Sequence, residues 1–170
     1  MNQVDRELFT QILDELNIHR GDRLLVHSAI QFLGKPVGGP EMYLSALLDR
    51  VGPDGTIATP AFNFRFTEGD PFNPDQTPSS GMGVFAETIR THPYSKRSIH
   101  PLQSVSVIGD SAESIAALDT PSAFDNGSAF ERILDLDFKV FLLGAGIDAV
   151  SLLHYSEQHN TVPYLSLIHI

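Results

Sequence analysis

An α/β fold, with strands and helices interleaved around a mostly parallel central sheet, is the architecture this sequence predicts, and three observations predict it. Short apolar runs at residues 23–28, 56–62, 104–108 and 139–143 have the length and composition of buried strands. Stretches of helical periodicity separate them. The first two runs stand at the spacing of a strand, helix, strand unit, which pairs its strands in parallel. No internal repeat and no long flexible linker interrupts the 170 residues, so a single domain is expected.

Val4, Leu8, Ile12 and Leu16 recur at helical spacing among Asp5, Glu7, Asp14 and Glu15, which describes an amphipathic helix laid on a core by that stripe. Gly21-Asp22 ends it. Arg23-Leu-Leu-Val-His-Ser28 is the first strand, a loop closing in Gly38-Gly39-Pro40 follows, and residues 41–51 form the next helix. Gly52-Pro-Asp-Gly55 is a strong turn signal before the second strand. Residues 63–83 are rich in Pro, Asn, Asp, Ser and Gly over a length that suits a binding loop better than an idle connection. Helices are expected at residues 82–91, 111–118, 129–136 and from about Asp148, with a buried strand at Lys139-Val-Phe-Leu-Leu143.

Composition excludes several classes of function. There are no cysteines, which removes disulfides, thiolate metal sites and thiol nucleophiles together. With 11 Lys plus Arg against 21 Asp plus Glu, the formal charge of -10 repels phosphate backbones and attracts cations. Acidic surfaces also serve plain solubility. The N-terminal residues carry charges throughout, with no signal-peptide core and no bilayer-spanning run, so a cytoplasmic protein is expected.

In open parallel sheets ligands bind beyond the carboxyl ends of the strands, so the polar residues that follow each apolar run are the functional candidates. His27-Ser28, Thr59-Pro60 and Gly144-Ala-Gly146 hold those positions, and the last leads into a helix carrying Ser151, His154 and Glu157. Gly144-Ala-Gly-Ile-Asp-Ala149 meets the degenerate dinucleotide fingerprint, but no Asp or Glu follows Glu157 to take the ribose hydroxyls. A metal site gains no support from the seven histidines, since His154 and His159 are five apart and lie on different faces of a helix.

Five segments carry a family likeness: Leu25-Val-His-Ser-Ala29 with Val37-Gly-Gly-Pro40, Val51-Gly-Pro-Asp-Gly-Thr56, Thr77-Pro-Ser79 with Met82-Gly83, Ser98-Ile-His-Pro101, and Leu142-Leu-Gly-Ala-Gly146 followed by His154-x-x-Glu157. In this order and spacing they resemble the aminoglycoside 3-N-acetyltransferase family, from Leu24 to Tyr164. The resemblance implies one acetyltransferase-type domain over residues 1–164. It implies transfer of acetyl from acetyl-coenzyme A to an amine of an aminoglycoside or related amino sugar, by direct attack and without metal. Its catalytic histidine falls on His154, its carboxylate on Glu157, and its hydroxyl on Ser151, where threonine is usual.

The chemistry suits these residue types. An amine is mostly protonated near neutral pH, and imidazole titrates close enough to that pH to accept its proton. Glu157, one turn on, can orient and stabilise the imidazolium, and Ser151 can donate to the thioester oxygen as negative charge develops.

For the cofactor, the likeness points to Ser28, Ala29 and Ile30 and to Gly38 and Gly39 before a helix N-terminus. Gly38-Gly39-Pro40 is equally a plain turn into a helix. Thr77, Ser79 and Ser104 are expected on the cofactor side of the same cleft, with His100 and Asp148 toward the substrate. The family continues well beyond this chain's last residue, so a C-terminally truncated protein is expected, with Leu165-Ser-Leu-Ile-His-Ile170 (165–170) as a non-native or truncated tail. A catalytically silent coenzyme A-binding fragment is the alternative to an active enzyme. The expected partner is a cationic small-molecule amine; nucleic acid and membranes are not expected, and a homodimer is left open.

Overall fold

The computed structural model describes residues 3–160 and 162; the expected tail at 165–170 lies outside them. In chain order the elements are β1 (Gln3–Val4), α1 (Arg6–Glu15), β2 (Arg23–Ser28), β3 (Lys35–Pro36), α2 (Pro40–Val51), β4 (Thr56–Pro60), α3 (Gly83–Arg90), β5 (Lys96–Arg97), β6 (Val105–Gly109), α4 (Ala112–Ala116), α5 (Ala129–Asp135), β7 (Lys139–Leu143) and α6 (Leu152–His159). Five strands form one sheet in the order β5-β6-β4-β2-β7, and β1 pairs with β3 apart from it.

The centre of the sheet is parallel, as the strand, helix, strand spacing requires: β2 pairs in parallel with β4 on one side and β7 on the other. Its far side is antiparallel, because β6 runs against β4 and the short β5 runs against β6. The sheet is therefore mixed. The reversal follows from the connection: after β4 the chain forms the long 61–82 loop and α3, then returns as β5 and β6 instead of crossing back over a single helix.

Helices cover both faces, which explains why the strands read as almost continuous apolar runs. Leu24 and Val26 of β2 face a core built with Phe9, Leu13, Leu47, Phe85 and Ile89 from α1, α2 and α3. Leu25, between them, faces the opposite core with Ile115, Phe130 and Ile133 from α4 and α5, against which Leu152 and Tyr155 of α6 pack. No helix among the described residues is long and apolar enough to cross a membrane.

Helix α1 corrects the expected core stripe. Asp5 caps it, its Oδ1 accepting from Leu8 N–H at 2.9 Å, and the buried residues are Phe9 and Leu13. Leu8, Ile12 and Leu16 are 44%, 36% and 54% exposed. Two stripes of four-residue spacing compete on this helix. The one with the aromatic ring wins, since Phe9 packs edge-on against Tyr43 with centroids 4.9 Å apart.

The polar loop of residues 61–82 is organised by a buried cation rather than by an apolar core. Arg97 donates from Nε to Ser104 Oγ at 2.9 Å, and its two amino groups donate to the carbonyls of Thr77 and Ala61. Its guanidinium also lies over the Phe72 ring, 4.9 Å from the centroid.

Candidate active site

The ends of β2 and β4 open on one cleft of about 230 Å³, lined by His27, Ser28, Thr59, Pro60, Phe62, Phe64, Gly81, Met82, Ala149, Ser151 and His154; Gly144, at the end of β7, is expected there but is not part of its lining. The close meeting of β2 and β7 there depends on Gly144. At φ 77°, a Cβ added to it would stand 2.7 Å from the Ala29 carbonyl oxygen.

Residues distant in sequence converge because α6 is fastened across the end of the sheet. Ser122 Oγ donates to Gln158 Oε1 at 2.9 Å, Gln158 Nε2 donates to Asp125 Oδ1 at 2.7 Å, and Tyr155 donates to Glu131 at 3.1 Å. On the face this leaves toward the cleft, His154 Nδ1 lies 2.9 Å from Glu157 Oε2, one turn apart. A carboxylate only accepts, so Nδ1 carries the hydrogen and Nε2 of the neutral ring keeps the lone pair. The Phe124 ring packs 5.7 Å from the imidazole, restricting its rotation. Ser151, 5% exposed, stands one turn before His154.

The second histidine of the cleft lies in a different environment. His27 is 4% exposed, and its Nε2 has no hydrogen-bond partner among the described residues. Burial pushes it down from 6.5 to about 4, so it stays neutral at physiological pH. The sequence places His27 at a strand end, but only its burial and unpartnered nitrogen distinguish it from a residue of the strand core.

The remaining candidates are dispersed. Ala29 spends its N–H on Leu143 O at 2.9 Å, and Ile30 is buried in the first core. Gly38 and Gly39 lead into α2 and line none of the cleft, and a Cβ on Gly39 would stand 2.7 Å from the Glu41 carboxylate. Thr77 and Ser79 line a separate hollow of about 580 Å³, with Ser79 donating to Glu87 from both N–H and Oγ. Ser104 is fully buried, bonded to Arg97 and Ala61. His100 lines another hollow, of about 710 Å³, with Phe66 and Asp119; its Nδ1 accepts from Gln103 N–H at 3.0 Å. Asp148 is exposed beside Ala149, the residue of its turn that lines the cleft. Among the described residues no cluster of three or more His, Asp or Glu could hold a metal ion.

The ends of the parallel strands thus face a histidine–carboxylate pair carried by α6, with a buried serine one turn before the histidine. Comparison with known proteins gives the family: the sequence profile of the aminoglycoside 3-N-acetyltransferase family matches residues 25–168, and the chain belongs to that family. Aminoglycoside N(3)-acetyltransferase III of Salmonella sp is 30% identical over 176 residues, a match covering 93% of this chain and 62% of the relative. Aminoglycoside N(3)-acetyltransferase IV of Salmonella sp is 34% identical over 160 residues, covering 93% and 60%. The chain thus spans about three fifths of the length of these curated relatives.

Among solved structures, the apoenzyme of aminoglycoside acetyltransferase AAC(3)-IVa superposes with a TM-score of 0.88 at 31% identity, over 96% of this chain and 64% of that one. AAC-IIIb in its binary complex with CoASH gives 0.83 at 30% identity, over 92% and 65%.

Proposed function

We propose that the protein transfers an acetyl group from acetyl-coenzyme A to an amine of an aminoglycoside or related amino sugar, with His154 as the general base. The observation that carries this is the His154–Glu157 pair, 2.9 Å apart at the strand-end cleft. Relatives add chemical support: AAC-IIIb was solved with CoASH, and AAC-VIa was solved bound to sisomicin. The acidic charge of -10 favours approach of a cationic substrate.

Acetyl-coenzyme A, when bound, supplies the acyl group as a thioester open to attack by an amine. The cleft fits the reacting end of such a molecule. At about 230 Å³ it is smaller than the roughly 300–1,000 Å³ that encloses a drug-sized ligand. It also offers a hydroxyl beside apolar Phe62 and Met82, with the His27 ring buried in its wall.

The protein groups divide the work. His154 Nε2 accepts the proton that the attacking amine must lose, and Glu157 holds the ring through Nδ1 and favours the imidazolium as it forms. Ser151 donates toward the carbonyl oxygen as its negative charge grows. Proton transfer from His154 to the departing sulfur completes the exchange of a C–S for a C–N bond.

Substitution of His154 by Ala tests this assignment. Turnover is expected to fall about 10²- to 10⁴-fold while the dissociation constant for acetyl-coenzyme A changes only a few fold. An unchanged rate eliminates His154 as the base. Saturable cofactor binding by the parent protein, with no turnover across a panel of aminoglycosides and amino sugars, selects the coenzyme A-binding alternative instead.

A further inference from the structure

We infer that His27 is a second catalytic residue of this cleft, donating a hydrogen bond from Nε2 to the thioester carbonyl oxygen on which negative charge develops. The inference rests on the acetyl-transfer reading above and assigns a role to a residue that reading leaves idle.

Geometry supplies its first support. His27 is the penultimate residue of β2, its neighbours Val26 and Ser28 pair with Phe141 and Leu143 of β7, and its side chain lines the same cleft as Ser151 and His154. Its Nε2 is buried without a partner among the described residues. Buried polar atoms are nearly always hydrogen-bonded, because leaving one unpaired forfeits the whole cost of its desolvation. An orphan at a ligand cleft is thus a group whose partner arrives with the ligand.

Chemistry then separates the two histidines. Acyl transfer to an amine needs one group that accepts a proton and one that donates to the carbonyl oxygen. His154 has a carboxylate on Nδ1, which orients the ring and leaves Nε2 to accept a proton. His27 has no such neighbour in the cleft lining, and burial holds it down to about 4. A histidine that stays neutral at physiological pH is a poor base there but retains an N–H to donate, and opposed environments of this kind assign opposed roles. Ser151 and His27 would then form a pair of neutral donors.

Two variants, His27→Leu and His27→Gln, compared with the parent protein test this. In the ligand-free state His27→Leu is expected to melt at least as high as the parent, by up to about 2–4 °C, because an unpaired buried nitrogen is removed. Its turnover at saturating substrates should fall about 10²- to 10³-fold, with acetyl-coenzyme A affinity within a few fold, and His27→Gln, which keeps an N–H donor, should recover part of the rate. With ¹³C-labelled acetyl-coenzyme A bound, the carbonyl stretch should sit at lower frequency in the parent than in His27→Leu; this comparison needs no turnover.

A folded His27→Leu with parental turnover and an unmoved carbonyl band overturns the inference while leaving the His154 assignment standing. A markedly lower melting temperature of ligand-free His27→Leu also overturns it, because the imidazole would then be a structural group. Parental turnover in His154→Ala instead defeats the underlying reading.

Discussion

His154 and Glu157 show how much one helical turn can hold. A spacing of three residues brings Nδ1 and the carboxylate to 2.9 Å, so contact between imidazole and carboxylate follows from the helical spacing itself. Glu157→Gln therefore keeps the shape and an acceptor oxygen but loses the charge that favours imidazolium. The rate at saturating substrates is expected to fall by about 10- to 100-fold, the effect of losing a charge-assisted hydrogen bond. Turnover at saturating substrates decides it: an unchanged rate removes Glu157 from the proton path.

At the scale of elements, the long polar loop depends on one side chain. The carbonyls of Ala61 and Thr77 and the hydroxyl of Ser104 all meet the Arg97 guanidinium, whose planar fork can serve several acceptors at once. Arg97→Leu strands these oxygens at about 1–3 kcal/mol each before relaxation, and a net loss on the order of 3 kcal/mol is expected. Arg97→Lys, a point charge without the fork, should restore only part. Chemical denaturation measures the loss, and limited proteolysis should locate the new cleavage sites within residues 63–80. Cleavage confined to other loops would show that the segment holds its own shape. Elements also decide which half of a helix pattern is used: α1 carries two apolar stripes, and the ring of Phe9 against Tyr43 selects the one facing inward.

For the whole molecule, burying histidines in their neutral form makes stability depend on pH. His27 binds its proton near 6.5 when exposed but only near 4 when folded, so between those values the unfolded chain holds more protons than the native one. Its contribution is fully present above pH 6.5, is lost progressively as pH falls toward 4, and changes no further below that. His100, lowered chiefly by burial, acts in the same direction. Denaturant melts between pH 7 and 4 should show stability falling, and His27→Leu should flatten part of that slope, on the order of 1–3 kcal/mol across the window. An identical slope in parent and variant would mean that His27 is not held neutral by the fold.

The amino-acid sequence by itself determined the alternation of strands and helices, the parallel β2–β4 unit and the pairing of His154 with Glu157. All of these rest on short-range periodicity, turn chemistry and residue spacing. Only the tertiary structure decided that β6 returns antiparallel, that Leu8 and Ile12 face outward, that Ser104 is spent on Arg97, and that His100 lines a different hollow from His154. It also decided that His27 lies buried beside His154 with an unpartnered nitrogen. The physical reason is common to these cases: periodicity states which residues can share a face, while burial and hydrogen-bond partners depend on groups brought from distant parts of the chain.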